Sequence, residues 1–189
     1  KKTVSAFSGG IVTFSTPSIN QIFADYGYFF DNKLSFLDTG NEWFYDKAAA
    51  QLYFYAPGGV NPNTLNVEAV TVSNGVKLNI NVANTTVQDM KLSGFSNTAV
   101  SGYTGNYNTV QRCVINKIEK YGIEFNGIGN NVYDNEIEDV LNNAVYGTFN
   151  QGEIKRNLIN RTGMVAGYGI DGQGYYGILI WNANGTIIE

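Results

Sequence analysis

Histidine is absent from this chain of 189 residues, and cysteine occurs once, at Cys113. Without an imidazole, no histidine general base, zinc ligand or triad member is available. A single thiol excludes an internal disulfide framework and a cysteine-rich metal site, so no metal and no cofactor are expected. Charge is sparse as well, at 15% of residues with a net charge of −4. No Lys/Arg cluster exists beyond Lys1-Lys2, which leaves a nucleic acid or an anionic membrane without a basic patch to engage. No apolar run approaches the length of a membrane helix, so no membrane insertion is expected. The opening Lys1-Lys2-Thr3-Val4-Ser5 carries no apolar leader segment.

What the chain does contain is asparagine, glycine and aromatic residues. There are 25 Asn and 22 Gly, against 3 Pro, and aromatic side chains make up 14%. Asn and Gly among β-branched and aromatic residues predict many short strands joined by tight turns. At 43% hydrophobic, the chain can bury a core.

A repeat organises the second two thirds. The apolar anchors Val87, Val110, Val132 and Ile154 open "VQDMKLSGF", "VQRCVINKI", "VYDNEIEDV" and "IKRNLINRT", each 22 or 23 residues after the last. Three residues past each anchor stand Met90, Cys113, Asn135 and Asn157; two further on stand Leu92, Ile115, Ile137 and Ile159. A second set precedes the anchors: Leu78, Val100, Ile123, Val145 and Ile178. Periods of this length mean stacked units. The pattern predicts a parallel β-helix in which each strand pairs with its counterpart one coil later, ~4.8 Å away. About five coils are expected over residues 64–189. The Met90/Cys113/Asn135/Asn157 row is expected at a turn, with inward Asn side chains bonding neighbouring coils and Cys113 and Met90 as buried fillers. A leucine-rich repeat fits less well, because Leu is uncommon and no 3.6-residue pattern persists.

Residues 1–63 lack the period and read as a β-rich cap. "EWFYDKAAAQLYFY", Glu42 to Tyr55, predicts a hairpin of alternating aromatics about a polar turn. Trp43, Tyr45, Tyr53 and Tyr55 are expected to pack over the end of the coils, with a sugar-stacking platform as the alternative. At the other end, "NANGTIIE" stops in mid-coil, so further coils of a parent chain, or a partner, are expected to follow.

The stretches "NTVQRCVINKIEKYGIEF" and "NNVYDNEIEDVLNNAVYG" resemble the N-x-V-x-x-N-x-I…G-I pattern of right-handed parallel β-helix repeat proteins, the pectate-lyase-like superfamily, over roughly residues 64 to 189. The segment around Glu42–Gly59 is similar to the region that precedes the coils in many secreted bacterial β-helix proteins, some assigned to glycan processing. The resemblance implies a right-handed coil and a secreted or cell-surface bacterial protein.

Strand alternation selects the outward side chains. After Leu78, Val100, Ile123, Val145 and Ile178 come Asn79, Ser101, Glu124, Tyr146 and Leu179; two further on stand Asn81, Tyr103, Asn126, Thr148 and Trp181. These rows make a face roughly 20 Å long. Aromatic rings beside amides and hydroxyls suit a polysaccharide or oligosaccharide. Ile159 and Ile178 lie 19 residues apart, whereas Ile115 and Ile123 lie eight apart, so Arg161–Tyr176 carries an insertion leading into this face. Insertions in repeat arrays map to loops and often to the binding face. This one holds Tyr168, Asp171 and Tyr175.

Tyr103, Asn126, Tyr146, Trp181, Tyr168 and Tyr175 are therefore candidate sugar contacts. Glu124 and Asp171 are the candidate carboxylate pair of a glycoside hydrolase. The resemblance also implies calcium-binding carboxylates and an Arg or Lys base for a polysaccharide lyase. No outward position of the face is expected to be Arg or Lys, and no acidic cluster has calcium spacing, so the lyase ranks below the glycosidase. Asp134, Glu136, Glu138 and Asp139 read as solvated acidic surface. A non-catalytic structural or adhesion module is the competing class.

Overall fold

Short apolar-polar alternations separated by Asn and Gly give strands almost throughout. The computed structural model describes residues 2–16, 30–165 and 174–189, in two units, Lys1–Glu68 and Ala69–Glu189.

The first unit holds two antiparallel hairpins. β1 (Val4–Ser8) pairs with β2 (Ile11–Phe14), and β3 (Trp43–Asp46) pairs with β4 (Gln51–Phe54). The second is the expected aromatic hairpin, with Trp43 opposite Phe54 and Tyr45 opposite Leu52. Its turn is fixed by Asp46, whose Oδ1 accepts the N–H groups of Ala48 (2.9 Å) and Ala49 (3.1 Å). Among the described residues of this unit, Ala56 is the one buried hydrophobic side chain.

The second unit is a parallel β-solenoid of three strands per coil. Its first coil comprises β5 (Asn74–Leu78), β6 (Thr86–Gln88) and β7 (Lys91–Phe95); its second, β8 (Thr98–Gly102), β9 (Thr109–Gln111) and β10 (Val114–Ile118). The third is β11 (Tyr121–Ile128), β12 (Asn131–Tyr133) and β13 (Glu136–Val140); the fourth, β14 (Asn143–Asn150), β15 (Glu153–Lys155) and β16 (Leu158–Thr162). β17 (Ile178–Trp181) and β18 (Ile187–Ile188) follow. Like strands stack into three sheets, β5-β8-β11-β14-β17, β6-β9-β12-β15-β18 and β7-β10-β13-β16, here called the first, second and third. The described chain thus makes about four turns, not five.

The anchors form one column, Val87–Val110–Val132–Ile154, and Leu92–Ile115–Ile137–Ile159 form another. Val110, Val132, Ile115 and Ile137 are fully buried. Burying each such side chain contributes ~1.5–3 kcal/mol.

In the first sheet the expected column needs one correction. Val100, Ile123, Val145 and Ile178 align, but the residue below Val100 is Val76, and Leu78 pairs with Gly102. The two-residue shift keeps Leu78 on the inner side, because side chains alternate with a period of two. A longer turn after β5 absorbs it, with Asn81 (φ 65°) and Asn84 (φ 55°) in the left-handed region. Leu78 then belongs to the column Leu78–Gly102–Phe125–Gly147–Ile180, where large and small residues alternate. A Cβ on Gly102 would meet the Phe125 ring at 2.7 Å, and one on Gly147 (φ 135°) would lie 1.8 Å from the Phe125 carbonyl oxygen.

At the corner between the second and third sheets the expected asparagine ladder forms. Asn135 Oδ1 accepts the Cys113 N–H (2.9 Å), and its Nδ2 donates to the Val110 carbonyl (3.0 Å). Asn157 repeats this one coil on, accepting the Asn135 N–H (3.0 Å) and donating to Val132 (2.8 Å). Cys113 fills the row as a buried thiol, whereas Met90 is 43% exposed and is not the buried filler expected, since it lies in the first coil. A second ladder went unread from the sequence. Asn130 Oδ1 accepts the Asn108 N–H (2.9 Å) and its Nδ2 donates to Gly105 (2.8 Å), while Asn108 bonds Thr85 and Val82 (3.1 and 2.9 Å) in the same way.

The acidic residues are not merely solvated. Arg112 holds Asp89 (2.7 Å), Arg156 holds Asp134 (2.7 Å), and Arg161 holds Asp139 (2.6 Å) and Glu138 (2.7 Å), each pair spanning adjacent coils. Such exposed pairs contribute at most ~1 kcal/mol each.

Replacing Asn135 by Ala orphans the Cys113 N–H and the Val110 carbonyl inside the solenoid. The expected loss is ~2–4 kcal/mol, read as a lower urea midpoint in far-UV circular dichroism. Arg156→Ala, which leaves its partner in water, is expected to cost less than ~1 kcal/mol in the same measurement.

Candidate functional site

The outer face of the first sheet is built by two rows of side chains. The nearer row is Lys77, Ser101, Glu124, Tyr146 and Leu179, each in register with the next. Lys77 stands where Asn79 was expected, a consequence of the shifted pairing of β5. The face therefore carries a lysine, two rungs or ~10 Å from Glu124. Asn81 does not reach the face; it sits in the turn after β5, its N–H donating to Thr104 Oγ1 (3.4 Å).

The second row is Asn126, Thr148 and Trp181. Tyr103 lies just beyond the end of β8, in a turn, and is 63% exposed; Trp181 is 44% exposed. Between these two aromatics the polar side chains are partly committed to the fold. Thr148 N–H donates to Asn126 Oδ1 (3.2 Å), and Gly127 N–H donates to Thr148 Oγ1 (3.1 Å). Of the Asn126 side chain, the amide NH2 is what remains to meet a ligand.

The start of the same strands carries a second aromatic group that the row pattern did not reveal. Tyr121 stacks on Tyr146 with ring centroids 4.2 Å apart and planes 5° from parallel. Lys120 Nζ lies 4.8 Å from the Tyr121 centroid. Tyr121 is buried, and burial, reinforced by Tyr146 and Glu124, pushes its phenol above the ordinary range. Tyr175 and Tyr176 come to this end as well, for the Tyr176 N–H donates to Asn143 Oδ1 (3.0 Å), on the rung above Tyr121. Tyr175 is 45% exposed.

Glu124 stands between the two aromatic groups. It is half-buried and, among the described residues, makes no hydrogen bond or ion pair, unlike the carboxylates of Asp89, Asp134, Glu138, Asp139 and Glu153. Burial raises its pKa above the usual carboxylate value, and the nearby Lys120 opposes the shift. Asp171 and Tyr168 lie outside the described residues, so the expected carboxylate pair has one described member.

The other reactive groups are accounted for by structure. On the second sheet, the Tyr133 hydroxyl donates to Glu153 (2.7 Å) and Lys155 pairs with the same carboxylate (3.1 Å). The tyrosine is pushed up to about 12 by burial and by its acidic neighbour, and Glu153 is held below its usual range. Cys113 is buried, and desolvation raises its thiol, the reverse of what a nucleophile needs. Among the described residues no three His, Cys, Asp or Glu side chains are grouped to hold a metal ion, and no helix is long and apolar enough to cross a membrane. Comparison with family models, curated proteins and solved structures finds no match to this chain.

A raised carboxyl pKa means the folded state keeps its proton to higher pH than the unfolded chain. The associated stability is present at acidic pH and is lost as pH rises through the folded value. Glu124→Gln is therefore expected to raise the urea midpoint at neutral pH, and the gain should vanish once the pH falls below the ordinary carboxylate range. Equal midpoints across a pH series would mean that Glu124 is as well solvated in the folded chain as in the unfolded one.

Proposed function

We propose that the outer face of the first sheet binds a polysaccharide chain, and that Glu124 serves there as a proton donor in glycoside hydrolysis. The observation that carries this reading is the half-buried, unpaired Glu124 beside the Tyr121–Tyr146 stack. Burial raises this carboxyl's pKa, the direction in which a general acid for a glycosidic oxygen must be shifted. The exposed rings of Tyr103 and Trp181 supply apolar platforms for pyranose faces, and Tyr146 supplies a third at the other end of the strands. The second carboxylate that hydrolysis needs is assigned to Asp171 on the insertion. Membership of the pectate-lyase-like superfamily, and secretion or display on a bacterial surface, belong to the same proposal and rest on the sequence resemblance together with the parallel solenoid.

A non-catalytic rod is the second reading. It is favoured by the commitment of Asn126 and Thr148 to structural hydrogen bonds. A lyase remains less well supported, because the lysine on the face lies two rungs from Glu124.

Screening on a polysaccharide array, followed by affinity gels, separates these readings. Trp181→Ala, Tyr103→Ala and Tyr146→Ala are each expected to weaken binding about tenfold, the worth of one ring contact. Reducing-end release should fall by at least ~100-fold in Glu124→Gln and in Asp171→Asn, with binding retained. No binding to any polymer favours the rod; binding without turnover leaves a carbohydrate-binding module.

A further inference from the structure

The sequence contains Asn-Gly three times, at Asn74-Gly75, Asn126-Gly127 and Asn184-Gly185. This dipeptide is chemically labile. The amide nitrogen of the following residue attacks the asparagine Cγ, the Cγ–Nδ2 bond breaks, and ammonia departs with the proton lost from the attacking N–H. The cyclic imide left behind is opened by water at either carbonyl, to aspartate or to isoaspartate. Glycine favours the attack because no Cβ hinders its nitrogen. The backbone must also be free to bend the two groups together, and a ladder strand resists that.

The three sites differ in this respect. Asn74 lies in β5, paired with Thr98, and Gly75 is packed so tightly that a Cβ would lie 2.6 Å from the Ala99 carbonyl oxygen. Asn126 lies in β11 with its Oδ1 accepting the Thr148 N–H, and the Gly127 N–H donates to Thr148 Oγ1. Both reacting groups there are engaged. Asn184 and Gly185 are exposed, in the turn between β17 and β18. That turn is closed by the Thr186 N–H on the Ala183 carbonyl (3.2 Å), with Gly185 at φ 68°, and the Gly185 N–H makes no hydrogen bond among the described residues.

We propose that Asn184 is a site of spontaneous deamidation, and that its conversion to isoaspartate releases β18 from β15 in the coil below. The main chain of Asn184 lays this turn on the coil below. Its carbonyl accepts the Gln151 N–H (2.9 Å) and its N–H donates to Asn150 Oδ1 (3.3 Å). Isoaspartate inserts one methylene into the backbone between those contacts and the bonds Ile187 N–H to Gly152 (3.1 Å) and Glu189 N–H to Ile154 (3.0 Å). A chain lengthened there cannot keep both sets. The inference stands apart from any carbohydrate chemistry.

The full chain, aged at mildly alkaline pH and mapped by peptide mass spectrometry, tests it. Asn184 is expected to convert at least ~10-fold faster than Asn74 or Asn126 in the folded protein, and all three at similar rates in concentrated urea. In the isoaspartate fraction, hydrogen exchange should lose protection at Ile187 and Glu189 while β11 and β12 keep theirs. Equal rates at the three sites in the folded chain would overturn the proposal. So would the same preference for Asn184 in urea, or an isoaspartate form with β18 still protected.

Discussion

A coil that must lie flat on the one beneath it faces its hardest problem at the corners. Along a strand, every N–H and carbonyl finds a partner in the neighbouring coil. Where the chain turns toward the next sheet, that pairing fails, and the orphaned groups lie inside the solenoid, out of reach of water. Asn135, Asn157, Asn108 and Asn130 answer this with a side chain that both donates and accepts. Its amide carries the acceptor and the donor on separate atoms, so one side chain can bond two coils at once. The sheets, the buried columns and the outer faces all inherit their register from these corners.

Much of the solenoid was readable from residue spacing, because stacking makes sequence distance and spatial distance equivalent. The anchors at Val87, Val110, Val132 and Ile154 fall into one column as expected. The errors occurred where a coil departs from the standard length. Val76 and Leu78 both satisfy the inward pattern, and only the length of the turn after β5 decides which lies under Val100. The signal for the second asparagine ladder was present, two residues before each anchor, in Thr85, Asn108, Asn130 and Gly152. It was obscured because two of those four residues are not asparagine. The Tyr121–Tyr146 stack was beyond reach of the pattern. Tyr121 precedes the alternating part of its strand, and its ring crosses from one coil to the next three residues out of step with the pairing, which places it opposite Asn143.

The candidate site illustrates how a regular scaffold becomes specific. Most charged groups on the coils find partners one rung away, and most polar side chains near the corners serve the backbone. Glu124 does neither. Its row contributes a serine below and a tyrosine above, neither of which is a cation, and burial outweighs the opposing pull of the nearby Lys120. Repetition makes such an exception visible, since the four other positions of its row show what the scaffold alone would demand.

The left-handed corner residues Asp89, Arg112, Asp134 and Arg156 occupy successive coils in one column, so acid and base alternate up the axis. Solenoids grow and shrink in evolution by gaining or losing whole coils. In this one, duplication of a single coil would set acid over acid or base over base, whereas a pair of coils would slip in with the alternation intact. The column thus favours added coils in pairs over single ones, by no more than the ~1 kcal/mol that one exposed ion pair contributes.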